Sequence, residues 1–467
     1  LLTALLLGIS VSAAAQNEGS VFNATGRGGT VNALARDYQS IGINPANLGL
    51  KQDYKVAFSL GEFSLGMGSQ VLTQSQLNKF VTAIDDNLTP QDRQGFIDAF
   101  ANDNALNVNL DATIVGFSLQ TPKIGGFAVS FRQRLITHIG LNRTFSEILF
   151  LGRNAPVYQR PEFQDRVFGN EPSVSDVFDG SAMQIAAFNE FNLAYGIQLL
   201  ESDAMKLSVG AGYRYVQGLG VLDIRAAGGQ FTGYNAMSAV FNVNYGDLAN
   251  NPNFNYDPQR GNYPFFNPAG TGHGFDIGVS AEIAEKVKLG LSLTDLGSMK
   301  WRTNVLQADD QPLQIVESDG IQTFNIFSEA ATIVGDGLIT YRAGGERTTP
   351  LPTRLRVGAG FSPTDKFDLG LDITVPLNET AGNLPGVFVG AGASYKLANF
   401  LRLNTGVTSG GGYGLNVPLG LTLDFKRYEF GIATRSINGF FSESNPYASV
   451  AFGMLRFKLG SVDEDED

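Results

Sequence analysis

The stretch TRLRVGAGF at residues 353–361 alternates between two kinds of side chain. Leu355, Val357 and Phe361 fall on one face of an extended chain, whereas arginine and glycine fall on the other. The stretch KFDLGLDITV at residues 366–375 repeats the alternation. A period of two places each set of side chains on its own face of a β-sheet. The pattern therefore predicts strands with one apolar face and one polar face.

The same alternation recurs along the chain, in stretches such as FNLAYGIQL (191–199), LSVGAGYRY (207–215), FDIGVSAEI (275–283) and VFVGAGASYKL (387–397). A soluble β-sandwich alternates in the same way. These stretches, however, are long enough to cross a bilayer when tilted. Aromatic residues also recur at strand ends, as interfacial girdles require; they are Tyr213, Tyr215, Trp301, Tyr395 and Tyr428.

A sheet that spans a membrane must close, because an open edge in lipid leaves backbone groups unpaired. The sequence therefore predicts an all-β fold, a closed antiparallel transmembrane outer-membrane β-barrel of about 14 strands over residues 53–460. Leu355, Leu369, Leu371 and Val389 are expected to face lipid. Counting across the predicted hairpins places Arg356 opposite Asp372 and Glu282 opposite Lys288 on the inner wall.

Composition supports a membrane wall and excludes several classes of protein. The chain has 56 glycines, 34 phenylalanines and only 17% charged residues, against a usual charged share of about a quarter. It has no cysteine, so no disulfide supports the fold. Its net charge is −12 and no basic stripe is present, which argues against a nucleic-acid partner.

The two ends of the chain have distinctive compositions. Residues 1–15, LLTALLLGISVSAAA, combine a short apolar run with small residues. This pattern predicts a secretory signal peptide that is cleaved after export. Residues 461–467 include five consecutive acidic residues, Asp463–Asp467, and such a run is typical of a solvated tail.

Residues 73–104 show helical rather than alternating spacing. Thr89-Pro90 provides a helix start inside this segment, so the sequence predicts a helical insertion of two short amphipathic helices after the first strand. We expect their apolar side chains to form a ligand-binding site at the outer end. Alternatively, these faces pack on each other or on the barrel rim. The residues concerned are Leu77, Phe80, Phe96 and Phe100.

The stretch TGRGGTVNALARDYQSIGINPANLGL at residues 25–50 resembles the N-terminal signature of the FadL-like outer-membrane barrels, the long-chain fatty-acid transporter superfamily. The shorter stretch LTDLGSMKW at residues 293–301 looks like a segment of a Bacteroidota branch of that superfamily with no assigned function. The resemblance implies that residues 16–52 fold back into the lumen as a hatch. Its matching hatch residues are Gly28, Gly29, Asn44, Pro45 and Ala46.

The chemistry of this segment agrees with such a role. Pro45 fixes its own φ and keeps Asn44 out of the helical region. The side chain of Asn44 can bond nearby backbone, and Gly28 and Gly29 permit bends. An ordinary turn before a strand that starts near residue 54 would have the same residues.

No catalytic or metal site is predicted. Neither His138 nor His273 accompanies a nucleophile elbow, and no cluster has metal-ligand spacing, so we expect no enzyme and no cofactor. The resemblance implies passage of hydrophobic small molecules across the outer membrane of a Gram-negative bacterium. The alternative is a non-transporting barrel subunit of an outer-membrane secretion or assembly complex. Expected partners are outer-membrane lipid, a hydrophobic small molecule and possible complex subunits.

Overall fold

The structure is a computed structural model. It describes residues 21–461 except for the segments 70–71, 84, 101–104, 122–123, 165–170, 242, 244–248, 257–266, 326–328, 330–332, 334–337, 385 and 443–446. The predicted signal peptide and residues 462–467 of the predicted acidic tail lie outside the described residues, as do residues 16–20.

The described chain is built mainly from strands that form one sheet. In chain order they are β1 (Tyr54–Ser69), β2 (Ala105–Thr121), β3 (Gly125–Gly140), β4 (Ser181–Glu201), β5 (Met205–Ala227), β6 (Gln230–Met237), β7 (Gly270–Ile283), β8 (Val287–Trp301), β9 (Val305–Ala308), β10 (Arg342–Ala343), β11 (Arg347–Pro350), β12 (Arg354–Thr364), β13 (Phe367–Pro376), β14 (Phe388–Ala398), β15 (Leu401–Gly410), β16 (Leu419–Phe425), β17 (Tyr428–Thr434) and β18 (Tyr447–Ser461).

Four of these eighteen strands, β6 and β9–β11, extend the sheet at one rim, and the other fourteen form a closed antiparallel ring. The ring closes because β1 pairs with β2 on one side and with β18 on the other. Strand β5 pairs with β7, and β8 with β12, so the rim strands are bypassed. The predicted closed barrel of about 14 strands is confirmed.

The two ends of the barrel differ in their connections. At one end the strands are joined by short turns such as residues 202–204, 284–286 and 426–427. At the other end the connections are long and carry most of the helices. We call these the turn end and the loop end. In outer-membrane barrels the short turns face the periplasm and the longer loops face outward.

The helices are short. They are α1 (Phe22–Gly26), α2 (Gln74–Thr82), α3 (Pro90–Phe100), α4 (Arg143–Leu151), α5 (Pro161–Gln164), α6 (Val174–Val177) and α7 (Ile437–Phe441). Helix α2 begins with a capping box, in which the Thr73 and Gln76 side chains satisfy each other's backbone N–H groups. The predicted helical insertion is therefore present as α2 and α3. Among the described residues no helix is long and apolar enough to cross a membrane.

The outer face of the wall is apolar and the inner face is polar. Leu369, Leu371 and Val389 are 38%, 48% and 38% exposed on the outside, and Leu355 is half-buried. Arg356 of the same hairpin is buried on the inside. A closed barrel with an apolar outer band suits a lipid environment, because its backbone groups are paired within the wall.

Replacing Leu371 by arginine is expected to lower the free energy of unfolding by about 2–4 kcal/mol, the cost of a cation at the bilayer midplane. Leu371 lies halfway along β13 and points outward. The measurement is equilibrium urea unfolding in phospholipid vesicles. Leu377, just beyond β13 and 52% exposed, is the matched control, and Leu377→Arg should cost only about 0–1 kcal/mol. Equal losses for the two variants would contradict a lipid-facing wall.

The predicted register of the inner-wall ion pairs is right for one hairpin and wrong for the other. Glu282 lies opposite Lys288, and their side chains are 3.6 Å apart. Asp372, however, lies opposite Gly358, and Arg356 lies opposite Thr374. Strands β12 and β13 are joined by a tighter turn than predicted, at Asp365 and Lys366, and a one-residue bulge lies beside it between Phe361 and Thr364. Together they place the β12–β13 pairing two residues from the predicted register, which keeps every side chain on its predicted face.

Candidate functional site: the plugged lumen and a groove in the wall

Residues 21–52, which we call the plug, lie inside the barrel and are hydrogen-bonded to its wall. The backbone N–H groups of Val31 and Asn32 donate to the Asp372 carboxylate of β13 at 2.9 and 2.7 Å. The Asn32 amide donates to the Gly290 carbonyl of β8 at 2.7 Å. These wall groups replace the ladder bonds that an irregular buried segment lacks.

The Asn-Pro-Ala turn of the plug is fully buried. Asn44 and Ala46 have no solvent exposure, and Pro45 opens a 3₁₀ turn, Pro45–Gly49. The Asn44 carbonyl oxygen accepts from the Ala46 N–H at 3.1 Å, while its amide donates to the Ser280 hydroxyl at 2.9 Å. One side chain therefore caps the turn and fastens it to β7. The assignment of these residues to a movable hatch stays a prediction.

Gly28 and Gly29 lie in the left-handed region, with φ of 66° and 75°. Residues other than glycine rarely adopt this backbone conformation. The bend presses the Gly28 carbonyl oxygen against Gly390 of β14, where a Cβ atom would overlap it. A Cβ atom on Gly392 would likewise overlap the Arg27 carbonyl oxygen. The glycine-rich inner face of the wall is thus a fitted surface for the plug backbone.

Buried ion pairs add to this attachment. Asp37 of the plug pairs with Arg456 of β18 at 2.5 Å, and Arg456 also pairs with Glu429 of β17. The Tyr38 hydroxyl donates to the Glu62 carboxylate of β1 at 2.5 Å. The plug is therefore connected to strands on several sides of the barrel.

A second ionic cluster surrounds Arg214 of β5, which is 1% exposed. Its guanidinium lies 3.3 Å from Glu190, 3.1 Å from Asp276 and 2.7 Å from Asp295. Asp295 has a φ of 58° and sits at a bulge where the β7–β8 register shifts. Because the bulge re-aims one residue, Asp276 and Asp295 both reach the same guanidinium.

The loop end is closed by an apolar core. Phe96 is 0% exposed and Phe100 is 3% exposed. Their rings stack on Phe150 of α4, with centroids 5.3 and 6.5 Å apart. The side chains of Leu77 and Phe80 lie outside the described residues. In the described structure Phe96 and Phe100 pack against protein, as the alternative expected, and their ligand-binding role stays a prediction.

An apolar groove of about 670 Å³ indents the outside of the barrel beneath α2 and α7, and we call it the wall groove. The groove lies where the strands of the wall are short, because β16 and β17 have only seven residues each. The β17–β18 pairing stops at Ala433 and Ala451, whereas the β1–β18 pairing continues to Tyr447. Its lining includes Leu65, Gly420, Leu421, Ile432, Ala433, Ile437, Phe441 and Val450.

Helix α1 of the plug stands directly behind the wall groove. A Cβ atom on Gly26 would lie only 2.9 Å from the Gly420 Cα. The Phe22 ring fills the inner side of the wall at Gly431 and Gly453, leaving no room for a side chain there. Only a glycine–glycine contact therefore separates the groove from the plug at this point.

Asn23 makes two polar contacts that attach helix α1 to the wall. Its carbonyl oxygen accepts from the Thr422 hydroxyl at 2.7 Å, and its amide donates to Glu429 at 3.0 Å.

The two histidines lie on opposite faces of the wall. A ring nitrogen of His138, on the inner face, is 2.9 Å from the Asn107 side chain. A ring nitrogen of His273, on the outer face, is 2.7 Å from the Tyr213 hydroxyl. Within the described residues no group of three or more His, Cys, Asp or Glu side chains could hold a metal ion.

A family model described as family of unknown function DUF5723 matches residues 45–434, which is most of the chain. The chain belongs to this family. No curated protein matches it.

Three solved structures illustrate what this DUF5723 chain is similar to. The Ralstonia pickettii toluene transporter TbuX is 11% identical, with 95% of this chain and 99% of that chain covered and a TM-score of 0.44. The Pseudomonas putida toluene transporter TodX is 11% identical, with 95% and 96% covered and a TM-score of 0.41. A Pseudomonas aeruginosa FadL homologue is 11% identical, with 96% and 99% covered and a TM-score of 0.44. Similarities of this size say nothing about the substrate of the DUF5723 chain.

Sequence reasoning missed the wall groove and the Arg214 cluster. The Asp-Leu-Gly stretch at residues 295–297 contains the bulge residue of the cluster, but a single sequence gave it no structural role. The groove left no signal in the sequence, because the alternating run at residues 415–425 is eleven residues long, although β16 has only seven residues. The pairing of Gly26 with Gly420 joins residues almost 400 positions apart, and no local pattern indicates it.

Proposed function

We propose that this chain passes hydrophobic small molecules across the outer membrane of a Gram-negative bacterium, and that they enter through the wall groove. The observation that supports this is the groove itself, an apolar recess in the lipid-facing surface that ends against plug helix α1. An apolar molecule dissolved in lipid would gain apolar contacts there. The resemblance of residues 25–50 to the FadL-like signature agrees with this route.

The axis of the barrel is a poor route for such a molecule. The lumen contains buried charges such as Arg214, Glu190 and Asp37, together with the polar plug. Inserting an apolar molecule among them would break hydrogen bonds that nothing replaces. Passage beside α1 instead needs only the first turn of the plug to move, and Asn23 and Phe22 attach this turn to the wall.

The proposal assigns a role to each part of the chain. Residues 16–52 form the hatch, 53–460 the barrel with its helical insertion at 73–104, and 461–467 an acidic tail on the periplasmic side. Surrounding outer-membrane lipid is the partner from which the ligand comes. We propose no enzymatic activity and no cofactor.

Fastening α1 to the wall is expected to abolish uptake. The variant Asn23→Cys/Thr422→Cys places two cysteines where the native side chains are 2.7 Å apart, and the chain has no other cysteine. The measurement is uptake of a radiolabelled hydrophobic compound, such as toluene, by cells that express the variant. Uptake should fall to background when the disulfide forms and should return after reduction.

The matched control fastens the middle of the plug instead of α1. Asn44→Cys/Ser280→Cys also joins a plug asparagine to a hydroxyl residue of the wall, here across 2.9 Å. Because the proposed route passes α1 and leaves Asn44 in place, the oxidised control should transport normally. Loss of uptake in both variants would show that the whole plug moves. Normal uptake in the oxidised Asn23/Thr422 variant would refute the proposed route.

A barrel subunit of a secretion or assembly complex is the second candidate function. The observation that favours it is apolar surface at the loop end, where Phe441 and Leu415 are 78% and 67% exposed. Exposed apolar residues of this kind can mark a protein contact. Purification from native membranes would reveal a stoichiometric partner if this function is correct. Membership of a Bacteroidota branch stays a prediction.

A further inference from the structure

A polar cavity of about 560 Å³ opens at the turn end, on the opposite side of the plug from the loop-end core. Two of its arginines, Arg27 and Arg36, come from the plug, whereas Lys288 and Arg402 come from β8 and β15. These four cations interact electrostatically with Asp368 or with one another. Asp368 is the acid that Arg27, Lys288 and Arg402 share. The lining also includes the acids Asp53, Glu285, Asp365, Asp424 and Glu429.

Arg27 lines this cavity without a matching acidic contact. Among the described residues its guanidinium makes no hydrogen bond and no ion pair, and its Nε atom is buried without a partner. Burial lowers the pKa of Arg27 to about 10. Attraction by Asp368 opposes this lowering, and repulsion by Arg402 adds to it. The side chain is half-buried and still charged at neutral pH, and its buried Nε–H group without an acceptor is unfavourable.

The carboxylates nearest to Arg27 are already engaged. Asp368 accepts from Arg402 at 3.0 Å and from the Ser362 hydroxyl at 2.7 Å. Asp372 accepts from the Val31 and Asn32 backbone at 2.9 and 2.7 Å. Each of these carboxylates therefore already accepts two hydrogen bonds, and neither of them is bonded to Arg27.

Two further cations of the cavity are only loosely paired. Arg36 is 3.9 Å from Asp53, whose side chain is 94% exposed. Lys288 is 3.6 Å from Glu282. Both can therefore turn toward a ligand that Arg27 holds.

We infer that this turn-end cavity binds a small anion of the phosphate or carboxylate class, with Arg27 as the principal donor and Arg36 and Lys288 as additional donors. A guanidinium presents paired N–H groups that match two oxygens of such an anion. The cavity volume exceeds the size of one phosphate several-fold. The inference does not depend on the proposed transport of hydrophobic molecules.

Two sources could supply the anion. One is a free anion from the solution at the turn end. The other is the chain itself, because the acidic run Asp463–Asp467 follows β18, and Ser461 at the end of β18 pairs with Tyr54, which lines the cavity.

The test uses the full-length barrel in detergent micelles at low ionic strength, with inorganic phosphate as the probe. Binding is followed by broadening of the phosphate signal in ³¹P NMR. Arg27→Gln is expected to weaken binding by about tenfold, whereas Arg27→Lys, which keeps the charge, should weaken it less. Arg153→Gln removes one exposed positive charge at the loop end and should leave binding unchanged. Heat-modifiable migration on gels verifies that each variant is folded.

A second arm distinguishes the two sources. All five acids are changed to amides in the full-length chain, as D463N/E464Q/D465N/E466Q/D467N. Tighter phosphate binding by this variant would identify the acidic run as the occupant, and unchanged binding would identify a free anion. Either result supports the site. Absence of phosphate binding in both chains, or equal binding by wild type and Arg27→Gln, would overturn it.

Discussion

Replacing Arg214 by methionine is expected to lower the free energy of unfolding of the barrel by about 3–5 kcal/mol, the usual cost of removing one partner from a buried ion cluster. Arg214 contacts three carboxylates at 2.7–3.3 Å, and every member of the cluster is buried. Without the guanidinium, Asp276 and Asp295 would remain as two neighbouring buried acids. The measurement is urea unfolding in vesicles, followed by the fluorescence of Trp301, the single tryptophan.

Two further variants separate charge from packing. The triple variant R214M/D276N/D295N removes both orphaned charges, while Glu190 keeps its partner Arg134 at 3.0 Å. It should recover most of the lost stability, because exchanging a whole ion cluster for neutral side chains is often nearly neutral. Arg153→Met breaks an exposed pair with Asp319 and should cost about 0–1 kcal/mol. No recovery in the triple variant would show that Arg214 acts through its packing alone.

Replacing Gly390 by valine is expected to displace the plug from the wall. A side chain at this position would overlap the Gly28 carbonyl oxygen, which is backbone and cannot rotate away. Overpacking of this kind costs about 1–3 kcal/mol, and movement of Gly28 would relieve it. The displaced plug should then be cleaved by trypsin after Arg27 or Arg36, as mass spectrometry would detect, and the barrel should conduct ions in planar bilayers.

The matched control is Gly386→Val, in the connection immediately before the same strand. A Cβ atom at Gly386 has no atom within 4 Å, so this variant should keep the plug protected and the conductance low. Trypsin resistance of Gly390→Val, with wild-type conductance, would contradict the fitted contact between plug and wall.

The alternation of side chains determined the fold class because it is a local property of each strand. Asp368 and Asp372 point inward and Leu369 and Leu371 point outward whatever the partner strand is, since a two-residue shift preserves both faces. A tight turn at Asp365 and Lys366 and the one-residue bulge between Phe361 and Thr364 together made that shift. The direction of each side chain was therefore predictable from the sequence, whereas the identity of its neighbour across the strands was not.

In the Asn-Pro-Ala segment, too, the local conformation was predictable from the sequence and the long-range contact was not. Pro45 and Asn44 determine a capped turn by their own covalent structure and short-range bonding. That this turn is fastened to Ser280 depends on a strand more than 200 residues away.

The candidate sites were decided by tertiary structure alone. Arg214 meets acids from three other strands, and the bulge at Asp295 is what brings the third within reach. Gly26 lies behind the wall groove because the plug folds back against β16. Arg27 lines the turn-end cavity, while Asp372 and Asp368 are bonded to other groups. Each depends on which distant segments meet when the barrel closes. A single sequence carries strong signals for periodicity and turn chemistry, which are local, but no comparable signal for these long-range encounters.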